Sequence, residues 1–396
     1  MNFRTIDDLD VKGKHVVVRA DLNVPMKDGV VTNTARIDRT VPTLKELAER
    51  GAKVVILTHL GRPGGERNME FTVEPVAKAL EKALGKKVTF VHDCIGDEAV
   101  AAVKALKEGE FALMENLRFY KEETKNDSAF AKKLAELGEL YVSDAFSASH
   151  RAHASTAGVA QYLTVAAGRL MQAEIEALTN ALEAPKKPVM AVVGGAKVST
   201  KLEVLHNLVK KVDYLVVGGG MANTFLNAKG IDIKGSLCEH EMAEECRIII
   251  GEAEVAGCEI LLPKDARLGK EFKEGTEVKQ ADIDNLPDDY LILDDGDKTI
   301  AELKAVLENV KTVLWNGPLG VFEIKPFDTA TNAIALDVAK RTQDGQILSV
   351  AGGGDTVAAL QASGAAKDFS YISTAGGAFL EWMEGKELPG VAILRK

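Results

Sequence analysis

His15-Val16-Val17-Val18-Arg19-Ala20-Asp21-Leu22-Asn23 is a short apolar run that ends abruptly in charged and amide side chains. Its length and β-branched residues fit a strand buried on both faces, as in a parallel sheet. The next segment, Thr34–Arg50, places Ile37, Val41, Leu44 and Leu47 on one helical stripe. The alternation continues. Lys53–Thr58, Val88–Val91, Phe111–Glu115 and Glu139–Ser143 read as further strands, and Thr72–Leu84, Asp97–Glu108 and Asn126–Leu137 as the helices between them. Such βαβ units build an open sheet covered by helices on both faces.

The second half repeats the scheme without repeating the sequence. Val189–Val193, Asp213–Val217, Glu259–Leu262, Leu291–Leu293, Thr312–Trp315 and Ile347–Ala351 are its expected strands. Ser199–Lys211, Glu241–Ala256, Thr299–Asn309, Asp328–Arg341 and Thr356–Ala362 are its expected helices. The predicted fold class is therefore α/β: two Rossmann-like lobes, each a parallel sheet with helices on both faces, joined by a hinge helix. The helix-favouring stretch Leu170–Leu182 runs into Pro185 and Pro188, which stop it. An N-terminal domain over 1–170 and a C-terminal domain over 171–387, which includes the linking helix 171–187, follow from this reading. The tail 388–396, with the strand-like run Val391–Leu394, is expected to return to the first lobe.

Hydrophobic content of 46% and charged content of 27% are those of a soluble globular protein. A net charge of −10 argues against a nucleic-acid partner. No signal core opens the chain and no run reaches membrane-spanning length, so a cytoplasmic protein is expected. Four cysteines (94, 238, 246 and 258) form neither Cys-x-x-Cys pairs nor a disulfide framework. No oligomer signature stands out, which leaves a monomer as the default.

Against that acidic background, ten of the fourteen arginines fall in the first half. Asp21 and Asn23, after the expected strand His15–Ala20 that ends with Arg19-Ala20, together with His59 and Arg62, Asn116 and Arg118, and His150-Arg151-Ala152-His153, all follow expected strands, where open parallel sheets bind ligands. Arginine forks suit a small polyanion. Arg36 sits in the first turn of its helix, where a cation opposes the dipole, by roughly 0.3–1 kcal/mol. It either joins the helix amides around an anion or is a surface residue tolerated at that small cost. His59, His150 and His153 keep company with arginine, which disfavours a metal site.

In the second half the strands lead into glycines. Gly194-Gly195-Ala196-Lys197-Val198-Ser199-Thr200-Lys201 has the parts of a phosphate loop without the Walker A spacing. Lys197 and Lys201 would share a face if the helix began early. Gly352-Gly353-Gly354-Asp355-Thr356 repeats the design, with Asp355 either an N-cap or a ligand of nucleotide-borne Mg²⁺. Gly218-Gly219-Gly220 and Trp315-Asn316-Gly317-Pro318 supply two more loops.

These motifs, Val18–Pro25, His59–Pro63, Glu115–Phe119, His150–His153, Gly194–Lys201, Trp315–Glu323 and Gly352–Thr356, together resemble the phosphoglycerate kinase family along nearly the whole chain. The resemblance implies an enzyme of glycolysis that reversibly transfers phosphoryl from 1,3-bisphosphoglycerate to ADP, giving 3-phosphoglycerate and ATP. It implies Asp21, Asn23, Arg36, His59, Arg62, Arg118 and Arg151 as phosphoglycerate ligands on the first lobe. On the second lobe it implies Lys201, Glu323, Gly353, Gly354, Asp355 and Thr356 as nucleotide ligands, with Asp355 bearing on Mg²⁺ and Glu323 on the ribose. Two departures stand out. Ser147-Ala148-Ser149 replaces the family's usual Gly-Thr-Ala, and Ala375 replaces a third glycine before Gly376-Gly377; the first is expected to alter how Arg151 is presented.

A carboxylate nucleophile needs no general base, so alignment and charge neutralisation carry the expected chemistry. Arg36 and Lys197 are the expected catalytic cations, acting once hinge closure excludes water. Two rival classes fit less well. A nicotinamide-dependent dehydrogenase would want Gly-x-Gly-x-x-Gly, and a non-catalytic binding protein would not need Lys197, Lys201 and Asp355.

Overall fold

Alternate residues of the first strand, β1 (His15–Ala20), bury themselves in opposite directions in the computed structural model, which describes residues 2–396. Val16 and Val18 join the cluster containing Ile37, Leu44 and Leu47 of helix Ala35–Glu49. Val17 joins Phe130 and Leu134 of helix Ser128–Ala135. A strand covered on both faces has no side to show water, so it reads as an unbroken apolar run. Each such leucine or phenylalanine contributes about 1.5–3 kcal/mol through burial.

The chain divides into two compact units, Met1–Glu176 with Glu387–Lys396, and Ala177–Lys386. After β1 the first unit holds a short hairpin, β2 (Met26–Lys27) and β3 (Val30–Val31), then β4 (Lys53–Leu57), β5 (Val88–Val91), β6 (Phe111–Met114), β7 (Leu140–Asp144) and β8 (Thr164–Ala167). Its main sheet has the order β5-β6-β4-β1-β7-β8, every neighbour parallel. The four expected anion-loop exits follow β1, β4, β6 and β7, which are adjacent strands.

The second unit holds β9 (Val189–Gly194), β10 (Tyr214–Gly218), β11 (Glu259–Leu261), β12 (Asp265–Gly269), β13 (Val278–Asp282), β14 (Leu291–Asp295), β15 (Thr312–Asn316), β16 (Leu348–Gly352) and β17 (Tyr371–Ser373). Its parallel sheet has the order β11-β10-β9-β15-β16-β17. The glycine loops leave β10, β9, β15 and β16, again adjacent strands. The strand expected at Leu291–Leu293 lies outside that sheet. As β14 it joins β12 and β13 in a separate three-stranded antiparallel sheet.

Helix Arg169–Leu178 passes directly into a π-helical stretch, Thr179–Glu183, and carries the chain across the division at Glu176. Asp144, the last residue of β7, caps its start. One carboxylate oxygen accepts from Leu170 N (3.0 Å) and Met171 N (3.2 Å). The tail does pack within the first unit, but Val391–Leu394 is not a strand. Pro389–Ala392 forms a helical turn with Pro389 at its first position, where the ring's fixed φ favours helix. Leu388, Val391 and Leu394 are buried at helical spacing. Arg4 N donates to Leu394 O (2.9 Å), and Lys396 pairs with Asp8 at 2.9 Å. Among the described residues, no helix is long and apolar enough to cross a membrane.

Candidate functional site

In the first unit, the loops leaving the central strands are tied to one another by the very side chains expected to bind substrate. Arg36 Nη1 donates to both oxygens of Asp21 at 2.9 Å, so the helix-dipole opposition is answered by a carboxylate. Asn23 Oδ1 accepts from Gly61 N (2.9 Å), and Arg118 Nη1 donates to Gly61 O (2.8 Å). The loops after β1, β4 and β6 thus share one anchor at Gly61. Arg62 and Arg151 are exposed, with no protein hydrogen bond on either guanidinium among the described residues. Arg118 is half-buried, and burial with Arg19 nearby pushes it down to about 10.

Ser147, standing where the resemblance expects glycine, donates its hydroxyl to Asp21 Oδ2. The departure therefore adds a brace beneath Asp21. The other departure meets no backbone demand, since Ala375 has φ −98° as the N-cap of helix Gly376–Met383.

Several residues at the strand ends turn inward. Asn116 is fully buried and bonds Leu60 N and O and Phe71 O, which makes it a loop tie. Arg19, 1% exposed, belongs to β1 itself and reaches Ser155 and His59 within the protein. Its guanidinium cannot serve as a surface fork. His59 is also buried, and that burial, with Arg19 beside it, holds its imidazole well below the usual range. Burial likewise lowers His153, to about 4.

In the second unit, the glycines permit backbone to meet backbone. A Cβ on Gly194 would lie 1.8 Å from Pro318 O, and one on Gly317, which has φ +108°, 2.1 Å from Gly194 O. Lys201 crosses beneath this contact. Its ammonium donates to Gly194 O (2.7 Å) and Asn316 O (3.2 Å), pinning the ends of β9 and β15. Burial lowers Lys201 to about 8, with Asp355 pulling the other way. A part-buried ammonium hydrogen-bonded to carbonyls leaves positive charge unneutralised, as an anion site requires.

The helix does not begin early. Lys197 caps a short 3₁₀ turn, Val198–Thr200, and the α-helix starts only at Leu202, so Lys197 and Lys201 share no helix face. Lys197 is exposed, whereas Ser199 is held by Glu239 through its N (3.0 Å) and Oγ (2.5 Å). Thr356 is buried, and its Oγ1 accepts from Gly317 N at 2.7 Å, so it braces the Gly317 turn. Asp355 and Glu323 are exposed at the rim.

Gly194, Lys201, Gly317, Glu323, Gly353 and Asp355 line a cavity of about 440 Å³. Next to it, sharing Gly219, Gly220, Leu237, Phe272 and Val321, lies a mainly apolar cavity of about 360 Å³. The sequence reading did not find this second space. Its walls come from Leu291–Asp295 and from Phe272, an exposed aromatic in a polar loop with no periodic signal. Among the described residues, no cluster of three His, Cys, Asp or Glu is arranged to hold a metal by itself.

The sequence and the fold were compared with known proteins. A family model described as "PGK: Phosphoglycerate kinase" matches residues 6–386. The chain belongs to the phosphoglycerate kinase family. It is 56% identical over 397 residues to a phosphoglycerate kinase of Sinorhizobium fredii, covering 100% of both chains. Over 394 residues it is 57% identical to that of Rhodospirillum centenum, again covering 100% of each. The solved structure of phosphoglycerate kinase from Coxiella burnetii aligns with a TM-score of 0.93 at 45% identity, covering 99% of this chain and 98% of that one. The Pyrococcus horikoshii enzyme aligns at 0.78 with 33% identity, with the same coverage of 99% and 98%. Membership makes the chain a kinase, a phosphotransferase whose acceptor is a carboxyl group.

Proposed function

We propose that the first unit binds 3-phosphoglycerate or 1,3-bisphosphoglycerate through Asp21, Asn23, Arg36, His59, Arg62, Arg118 and Arg151, and that the second binds ATP or ADP. The observation that carries this is the opposed chemistry of the loops on adjacent central strands: a cluster of cations around Arg118 in one unit, and in the other a bare-backbone cradle over part-buried Lys201. Nucleotide phosphates sit on Lys201 and the Gly353–Thr356 turn, Glu323 meets the ribose, and the apolar cavity beside Phe272 and Leu237 takes the base. Asp21, the pocket's one carboxylate among the proposed ligands, suits a substrate hydroxyl and not a phosphate.

Asp355 is a rim carboxylate that would contribute to holding a nucleotide-borne Mg²⁺, since among the described residues no group of His, Cys, Asp or Glu would hold the ion alone. When bound, the ion neutralises phosphate charge. Arg36 orients the carboxyl end of phosphoglycerate, and Lys197 neutralises the phosphoryl in transit. No base is required, because the acceptor carboxylate is already ionised. Transfer needs both substrates in one water-excluded site, which gives helix Arg169–Leu178 the part of a hinge. A monomeric cytoplasmic enzyme using Mg²⁺ completes the reading.

A coupled assay for ADP-dependent ATP formation from 1,3-bisphosphoglycerate tests it; binding of both ligands without ATP formation would refute it. Arg62→Ala and Arg118→Ala should each weaken phosphoglycerate binding by roughly ten- to a hundredfold, the cost of one charged hydrogen bond, and leave ADP affinity unchanged. Calorimetric titrations with each ligand separate these effects.

Lys201 gives a pH signature. Polyphosphate beside it raises its pKa above the free value of about 8, so binding takes up a proton near that pH. Below about pH 8 the lysine is charged in both states and contributes no pH dependence to affinity. Above it, affinity falls as pH rises. Titrating ADP in buffers of differing ionisation enthalpy should reveal the uptake, and Lys201→Met should abolish it.

A further inference from the structure

Below the phosphoglycerate pocket lies a buried polar chain to which the proposed chemistry assigns no role. Glu123 is 0% exposed and cannot touch a substrate. Its Oε1 accepts from Ser155 Oγ at 2.5 Å, and its Oε2 from Ser155 N at 3.0 Å. Ser155, also fully buried, spends its only hydroxyl proton on that carboxylate, so towards other groups its oxygen can only accept. Arg19 Nε–H fills that position at 2.8 Å. Arg19 Nη1 then donates to Ala20 O at 2.6 Å, and Nη2 lies 2.9 Å from His59 Nδ1. A guanidinium has no acceptor, so the direction of the last contact is forced. His59 Nδ1 must present its lone pair, and the ring's single proton must reside on Nε2.

We infer that Glu123, Ser155 and Arg19 form a relay of positioning residues that fixes His59 as the neutral Nε2–H tautomer, a hydrogen-bond donor for the anionic substrate. The donor role rests on the assignment of this pocket to phosphoglycerate; the tautomer does not. The relay accounts for an acid in the floor of a cationic pocket. Without Glu123, Ser155 could turn its hydroxyl proton towards Arg19, leaving the guanidinium free to rotate off His59. The imidazole could then place its proton on Nδ1 and show phosphoglycerate a bare lone pair, which repels an oxyanion. His59 binds here by donation. It transfers no proton, in keeping with an acceptor carboxylate that needs no base.

The direct test is nitrogen-15 NMR of the histidine rings in the full-length protein at neutral pH. The expected result is a protonated Nε2 and an unprotonated Nδ1 at His59, with the Nε2 resonance moving on addition of 3-phosphoglycerate. A proton on Nδ1 would overturn the relay. A protonated Nε2 that ignores 3-phosphoglycerate would support the relay while removing the substrate assignment, so the two failures are told apart. In Ser155→Ala, the His59 signals should lose the single-tautomer pattern. The KM for 3-phosphoglycerate should rise about tenfold, as for a lost buried hydrogen bond, with the KM for ATP unchanged. Unaltered His59 signals in that variant would also overturn the relay. Should it fail to fold, the wild-type tautomer still decides.

Discussion

Gly317→Ala should abolish nucleotide binding and destabilise the second unit. The alanine Cβ would stand 2.1 Å from Gly194 O and 2.5 Å from Gly194 C, both rigid backbone of a central strand. No rotamer relieves a backbone collision, and φ +108° is costly for any side chain. Overpacking and strain together come to roughly 2–6 kcal/mol, a large share of a typical domain's stability of about 5–15 kcal/mol. The consequence for function is sharper still. Gly194 O is a partner of Lys201, and Gly317 N is held by Thr356, so one methyl group displaces both anchors of the glycine cradle. Thermal unfolding with and without ADP measures both effects. A variant with near-native Tm and intact ADP stabilisation would contradict the packing argument. Gly230→Ala is the control: it also has positive φ (+87°), but nothing lies within 4 Å of the added carbon.

Lys197→Ala should lower kcat about a hundredfold, or about 2.7 kcal/mol in barrier height, with little change in nucleotide affinity. The structure separates the two lysines. Lys201 is bound to two carbonyls and fixes the cradle. Lys197 is exposed, and its turn is secured by Ser199 and Glu239. An exposed cation on a secured turn can meet a phosphoryl group in transit; one bonded into the floor cannot. Steady-state kinetics together with direct ADP titration distinguish the roles, and near-normal turnover would remove Lys197 from the mechanism.

The central strands and most helices were legible because their burial pattern is periodic. Helix Gly220–Ala228 was not, since its start lies within Gly218-Gly219-Gly220, which reads as a loop. Only Gly219 needs that freedom, at φ +69°, and Gly220 already begins the helix. The antiparallel sheet was hidden for a related reason. β13 is mostly exposed and polar, so it carries no alternation. At the sites, residue type was legible but partnership was not. Arg19 and Arg62 look alike in sequence, yet one faces a buried serine and the other water. Nothing in the spacing links Arg19 to Ser155, which lies 136 residues away. The same blindness hid Glu123, an apparently ordinary member of a charged run.

The placement of Glu387–Lys396 in the first unit bears on biosynthesis. Those residues are translated after all of Ala177–Lys386, yet Gly390 N donates to Ser149 O at 2.8 Å, inside the loop that presents Ser147 and Arg151. The first unit is therefore not complete until the whole of the second has been synthesised. A released chain truncated after Lys386 should keep its ADP affinity and lose phosphoglycerate affinity, which paired titrations would measure.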